Sequence, residues 1–434
     1  YYYIKLIMPK RVDSVLKEVL ESVKPSEKEL KEIKETLSSF LKKIEQNRKK
    51  NRINAQVFIG GSFAKKTLIK KDSYDIDIFI RFDKKYKDEL LSNMTEKILS
   101  GLKAVRVHGS RDYFKAHAQN NLFFEIVPVK KIITPKEAEN ITDLSYSHVN
   151  YIKKKLKSEK LLDEVRLAKA FCYANGSYGA ESYVQGFSGY GLELLVYYYG
   201  SFMGFIKAMS KINPEKKVII DIEKLHKNKN HILMDLNSAK LHSRVVLVDP
   251  TYKQRNVLAA LSRETFLNFQ KICKDFLKKP SVSFFAKKVV NIEKIKQEAE
   301  KKGYDFIILK AETGKQEGDI AGSKLLKIYK HLVLEANRFF DIKAKGFEYE
   351  KGKTARFFFV ARGKKELIVS GPRTDQEKHV QRFREKHKTI SIKNSRLYSR
   401  VHLNFTLKQF LQNWITKNQK KIKDMGITKM EIIS

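Results

Sequence analysis

Apolar residues recur at helical spacing through residues 13–46, first at Val15, Leu16, Val19 and Leu20, then at Ile33, Leu37, Phe40, Leu41 and Ile44. The pattern predicts two helices parted near Pro25, whose ring disfavours an unbroken helix. The period then shortens. AQVFIGG reads as a strand entering a glycine turn, SFAKKT as the opening of a helix, and YDIDIFIRF as a strand of strict apolar–polar alternation. LFFEIVPV, residues 122–129, predicts another strand, and helical spacing returns from Ser145. Strands and helices mixed in this way predict an α/β unit that ends near residue 142.

From there to about residue 272 the pattern is mostly helical, in DEVRLAKAFCYANG and GLELLVYYYGSFMGFIKAMSK, with one strand-like stretch, RVVLVDP. Farther on, DFIIL predicts a strand, residues 323–340 a helix, and FEYE and RFFFVAR two more strands, which together suggest a small α+β module. No internal repeat and no long Pro/Gly/Ser linker interrupts the chain. At 434 residues the length favours two to four domains over one core.

Charge narrows the partners. Against 88 Lys+Arg stand 49 Asp+Glu, a formal +39, and such a surplus favours a polyanion, nucleic acid first, through phosphate neutralisation and counterion release. Charge alone leaves a membrane surface or a halotolerant lifestyle open, and runs such as Lys153, Lys154, Lys155 and Lys157 also read as a solvated helix face. The cysteines, Cys172 and Cys273, lie in apolar helix-like stretches without a CxxC partner and read as buried thiols of a reducing compartment. No apolar run is long enough to span a bilayer, and the opening YYYIKLIMPKR is too short for a secretory leader, so a cytoplasmic protein is expected.

The candidate chemistry centres on Asp75 and Asp77. On a strand they share one face, roughly 6.6 Å apart along the chain, while Ile76, Ile78 and Ile80 take the other. Two such carboxylates suit a divalent-metal clamp for phosphoryl transfer, although an acidic solvent face on an ordinary strand would look the same. The preceding IGGSFAKKT adds weight: Gly60 and Gly61 permit a tight turn, Ser62 is placed to cap the next helix, and Lys65 to add a charge beside phosphates held at the helix start. It is not a Walker A loop, since GxxxxGK[ST] is absent.

A GGS turn followed by DxD on the next strand resembles the nucleotidyltransferase superfamily of DNA polymerase beta. That resemblance implies a third carboxylate on a neighbouring strand, and Glu125 in FFEIVPV stands at the matching position, where archaeal CCA-adding enzymes usually have Asp. EVRLAKAFCYANGSYGAESYVQGFSGYGLELL resembles the signature of the class I, archaeal CCA-adding enzymes, which implies that Lys169 and Tyr178 face the triphosphate. Gln185 stands where that family has Arg, and His148 where it places a nucleotide-contacting histidine. DPTYKQRNVLAALS resembles the family's DP…RNVAANLS segment, which implies that Asp249 and Arg255 sit beside the incoming base. The alternative is an Asp–Arg pair that merely anchors a turn.

PSVSFFAKK and SGPRTDQEKHVQRF resemble later family segments. The architecture so implied is multidomain, α/β and α+β. It comprises a polymerase-beta-like head over residues 1–142, a helical nucleotide-binding neck over 143–272, a body from 273–298 and 390–434, and a tail over 299–389 that grips the tRNA elbow. The implied activity is untemplated addition of C, C and A to tRNA from CTP and ATP. In it Asp75, Asp77 and Glu125 hold Mg²⁺ and Gly61, Ser62 and Lys65 bind the nucleotide. A homodimer is left open. A poly(A) polymerase or oligoadenylate-type transferase on the same head, and a non-catalytic RNA-binding protein on the same scaffold, are the alternatives. RFFFVAR is compatible either with RNA contact or with a sheet core.

Overall fold

The computed structural model describes residues 2–109, 111–119, 121–287, 290–314, 317–350 and 352–433, with residues 2–11 described by backbone only. The chain divides into two compact units, Tyr1–Lys288 and Val289–Ser434.

The first unit begins with two helices, α1 (Tyr2–Val23) and α2 (Glu27–Lys50). A capping box in which Ser26 and Glu29 satisfy each other's backbone amides starts α2, so the break falls where Pro25 placed it. Five strands follow: β1 (Ala55–Ile59), β2 (Tyr74–Asp83), β3 (Ala104–Val107), β4 (Tyr113–His117) and β5 (Leu122–Lys131). They form one sheet in the order β1-β2-β5-β4-β3, in which β2 and β5 run parallel and the other neighbours antiparallel. Between β1 and β2 lies the short helix α3 (Gly61–Ala64), and between β2 and β3 the helix α4 (Asp88–Ile98).

The alternation read from YDIDIFIRF decides how this sheet is used. Ile76, Ile78, Ile80 and Phe82 have no exposure and pack with Ile33, Leu37 and Ile44 of α2 and Leu91 and Ile98 of α4. Burying each such side chain stabilises the fold by about 1.5–3 kcal/mol. Helices therefore occupy one face of the sheet, and the carboxylates take the other.

The rest of this unit is built on α5 (Ser145–Lys155), α6 (Glu159–Ala174), α7 (Gly189–Tyr199), α8 (Phe202–Lys211), α9 (Lys229–Asp235) and α10 (Arg263–Lys278). Serine side chains cap α6, α7, α8 and α10 at Ser158, Ser188, Ser201 and Ser262. Phe171, Phe202, Phe205, Phe269 and Phe276 fill a core that also takes Val19 of α1, so the first helix packs on the helical layer and not on the sheet. Where RVVLVDP alone predicted a strand, three are present: β6 (Val218–Ile220), β7 (Val245–Asp249) and β8 (Tyr252–Asn256), with β7 in the middle.

The second unit contains α11 (Ile292–Lys301), β9 (Asp305–Thr313), α12 (Gly318–Phe339), β10 (Phe340–Tyr349) and β11 (Thr354–Gly363). It continues through β12 (Glu366–Arg373), α13 (Glu377–Lys386), β13 (Ile390–Lys393), β14 (Arg396–His402), α14 (Leu407–Lys417), α15 (Gln419–Asp424) and β15 (Ile427–Ile432). A four-stranded sheet in the order β10-β11-β9-β15 packs on α12 and α14, and β12-β14-β13 form a separate three-stranded sheet. Phe357 and Phe359 of RFFFVAR are fully buried in this core, while Arg356 and Arg362 on the same strand stay exposed. The aromatics thus fill the sheet. Among the described residues no helix is long and apolar enough to cross a membrane.

Candidate active site

Asp75 and Asp77 lie half-buried on the face of β2 opposite the helices, and parallel pairing sets Asp77 directly beside Glu125 of β5. On the next strand, β4, Lys115 is the cross-strand partner of Glu125 and reaches it at 3.0 Å. Three carboxylates and one ammonium group therefore share a small area of sheet. Burial, followed by the nearby charge of Glu125, pushes the Asp77 carboxyl up to about 7, with Lys65 pulling the other way.

The glycine turn is fastened to the same strand. The Gly60 amide donates to the Asp77 carbonyl at 2.8 Å, and a Cβ on Gly60 would overlap the Phe79 ring. Gly61 adopts φ +58°, and a Cβ there would overlap the Asp77 carboxylate. Only glycine meets both demands at Gly61. The expectation that Ser62 caps the following helix is corrected: the cap position is Gly60, which offers no side chain, and Ser62 lies inside a single turn that ends at Ala64. The turn closes earlier than the pattern suggests because the Thr67 amide donates to the Ser62 carbonyl at 2.9 Å and Lys66 takes φ +58°.

Lys65 leaves this turn for the helical layer. Its Nζ meets Glu193 Oε2 of α7 at 2.7 Å, and Lys169 Nζ of α6 meets Oε1 of the same carboxylate at 2.8 Å. Thr67 completes the group, its hydroxyl accepting from Lys169 and donating to Glu193, both at 2.7 Å. Burial lowers Lys169 to about 8 despite its pairing; burial would also lift Glu193, but Lys169 and Lys65 together hold it at about 2. Tyr178 borders this cluster, since a Cβ on Gly189 would touch both its hydroxyl and the Lys169 side chain. Lys71 lies over the Tyr178 ring, 5.2 Å from its centre. Neither Glu193 nor Thr67 was singled out by the sequence; the only signal was one acidic residue in the apolar run GLELLVYYY.

A second cluster surrounds Asp249 at the end of β7. Its fully buried carboxylate accepts from Arg255 at 2.7 Å, Tyr190 at 3.1 Å, and the Thr251 amide and hydroxyl, each at 2.8 Å. His148 Nε2 lies 2.9 Å from it, and the His148 ring stacks on Tyr190 with centres 4.1 Å apart. Burial would raise Asp249, yet His148, Arg255 and Thr251 hold it below the usual carboxylate range. Burial lowers His148, with Arg255 and Lys65 acting in the same direction against Asp249. With its oxygens committed to these neighbours, Asp249 holds Arg255 and His148 in place, while Arg255 keeps a partly exposed fork. Gln185 takes φ +53° in the loop before α7, where its carbonyl accepts from the Ser262 amide at 3.0 Å.

Among the described residues no three His, Cys, Asp or Glu side chains already converge as a metal-ion cluster. The donor set still fits a hard divalent cation. Asp75, Asp77 and Glu125 offer only carboxylate oxygens, and a cation there offsets the burial, and after it the Glu125 repulsion, that raise Asp77.

Residues 163–286 match the family tRNA nucleotidyltransferase, second domain, and residues 11–146 match the Second Messenger Oligonucleotide or Dinucleotide Synthetase domain. A CCA-adding enzyme of Methanocaldococcus jannaschii is 31% identical over 401 residues, 89% of this chain and 87% of that relative. The chain belongs to the CCA-adding enzyme family. A CCA-adding enzyme of Nanoarchaeum equitans is 42% identical over 212 residues, 48% of this chain and about half, 52%, of the relative. A solved cytoplasmic RNA terminal U-transferase superposes with a TM-score of 0.50 at 16% identity, over 65% of this chain and 100% of that one, which shows a shared fold. Both domain matches fall within the first unit, residues 11–146 on the sheet and its helices and residues 163–286 on the helical layer.

Proposed function

We propose that this protein rebuilds the CCA end of tRNA in the cytoplasm. The terminal 3′-hydroxyl attacks the α-phosphate of CTP, of a second CTP and then of ATP, and pyrophosphate leaves at each step. The observation that carries the reading is the placement of Asp75, Asp77 and Glu125 on one sheet face beside the Gly60–Gly61 turn, in a chain whose relatives are CCA-adding enzymes. Asp75, Asp77 and Glu125 would hold Mg²⁺, which would polarise the attacking oxygen and neutralise the departing pyrophosphate. The chain's own groups do the rest. Lys65 and Tyr178 bind the triphosphate beside the Gly61–Ser62 turn with the Lys169 charge behind them, and Arg255, held by Asp249 next to His148, faces the base. The +39 surplus draws the tRNA phosphates, and residues 299–389 of the second unit take its elbow.

Metal removal tests the catalytic part. Chelation with EDTA is expected to lower nucleotide incorporation into tRNA by about tenfold or more, and added Mg²⁺ to restore it. Incorporation that persists under chelation would contradict the assigned role of the carboxylates, and tRNA binding without any metal-dependent incorporation would favour the non-catalytic RNA-binding reading.

A further inference from the structure

Glu193 is the one fully buried acid of α7, set among Tyr190, Leu192, Leu194 and Leu195. An ionised carboxylate in such surroundings persists only with partners. Its three partners come from two stretches of the chain: Lys65 at 2.7 Å and the Thr67 hydroxyl at 2.7 Å from the end of the glycine turn, and Lys169 at 2.8 Å from α6. Lys169 spends its remaining donors on the Thr67 hydroxyl, 2.7 Å, and the Thr67 carbonyl, 3.3 Å. One carboxylate against two ammonium groups leaves one positive charge over. Lys71 and Tyr178 border the group, and Asp77 feels Lys65.

Building on the nucleotidyltransferase reading, we infer that Glu193 is a positioning residue for the nucleotide's phosphates: it gathers Lys65 and Lys169 from separate elements into one buried fork that carries a net positive charge. Glu193 itself touches no substrate. An arriving triphosphate then meets a fixed charge and not two mobile side chains, and the ordering of those long side chains is already complete before binding. Without the carboxylate the two lysines repel each other inside the protein and neither keeps its aim.

The test is Glu193→Gln, which keeps the shape and removes the charge. With CTP varied on tRNA lacking its CCA end, KM should rise about tenfold while kcat stays within about threefold of wild type. Thr67→Val, which removes one prop and leaves both lysines, should raise KM in the same direction by about threefold, and it serves if Glu193→Gln folds poorly. In parallel, the rise in Tm that CTP alone gives the wild type should shrink in both variants. That arm needs no turnover, so it reads the fork even if the wild type adds no CCA and the functional reading fails. An unchanged or lowered KM, or a fall in kcat and Tm with full CTP-induced stabilisation retained, would make Glu193 a purely structural residue and overturn the inference.

Discussion

Replacing Asp77 by alanine is expected to cut nucleotide addition by about 10³-fold or more while tRNA affinity stays close to wild type. The expectation comes from position. Asp77 lies between Asp75 on its own strand face and Glu125 across the parallel register, and its carboxylate lies so close against the turn that a Cβ on Gly61 would overlap it. On the proposed function the RNA would be held by surface cations that this change does not touch. Activity within tenfold of wild type would remove Asp77 from the chemistry. Glu125 stands differently, because Lys115 pairs with it at 3.0 Å. A Glu125→Gln variant that loses less than about tenfold would show that the metal site is built from the two aspartates, with Glu125 serving Lys115.

Replacing Asp249 by alanine should cost about 3–5 kcal/mol of stability, lowering Tm by roughly 10 °C, and should also blur the choice between nucleotides. Both effects have one cause. The buried carboxylate is the common acceptor for Arg255, Tyr190 and Thr251 and lies against His148, so its loss strands several polar groups at once and frees the guanidinium. Arg255→Ala separates the two effects, since Tyr190, Thr251 and His148 still hold the Asp249 carboxylate once the guanidinium is gone. That variant should raise KM for CTP and ATP and weaken discrimination against UTP and GTP by about 1–3 kcal/mol, with lysine a poor substitute for the planar fork. Single-turnover incorporation of all four nucleotides checks this. Unchanged rate ratios in Arg255→Ala, together with a lowered Tm, would reduce the pair to a turn anchor and place base selection elsewhere.

The head was readable where periodicity and chemistry coincided. YDIDIFIRF declares both its buried isoleucines and its paired aspartates because a strand has a period of two, and the structure puts the isoleucines in the core and the aspartates on the opposite face. The GGS turn was legible as a turn but not in its cap, since Ser62 resembles an N-cap in sequence while backbone contacts at Asp77 and Thr67 fix the start at Gly60. YKQRN shows no apolar alternation, and its strand exists because it hydrogen-bonds to the buried β7. Glu193 was invisible for a related reason: its partners lie 128 and 24 positions away, and a single acid in a helix reads as a surface residue until the fold brings two lysines to it. RFFFVAR was legible as a strand, but the use of its aromatics was not, because a run of phenylalanines satisfies core and RNA surface equally until α12 and α14 cover it.

The most direct measurement is the sequence of the 3′ end made on tRNA that lacks CCA, incubated with this protein, Mg²⁺ and all four nucleoside triphosphates. C, C and A are expected in that order and then no further growth, with CTP alone giving two additions. Tails of repeated A or U, or an end left unextended by protein that still binds tRNA, would contradict it.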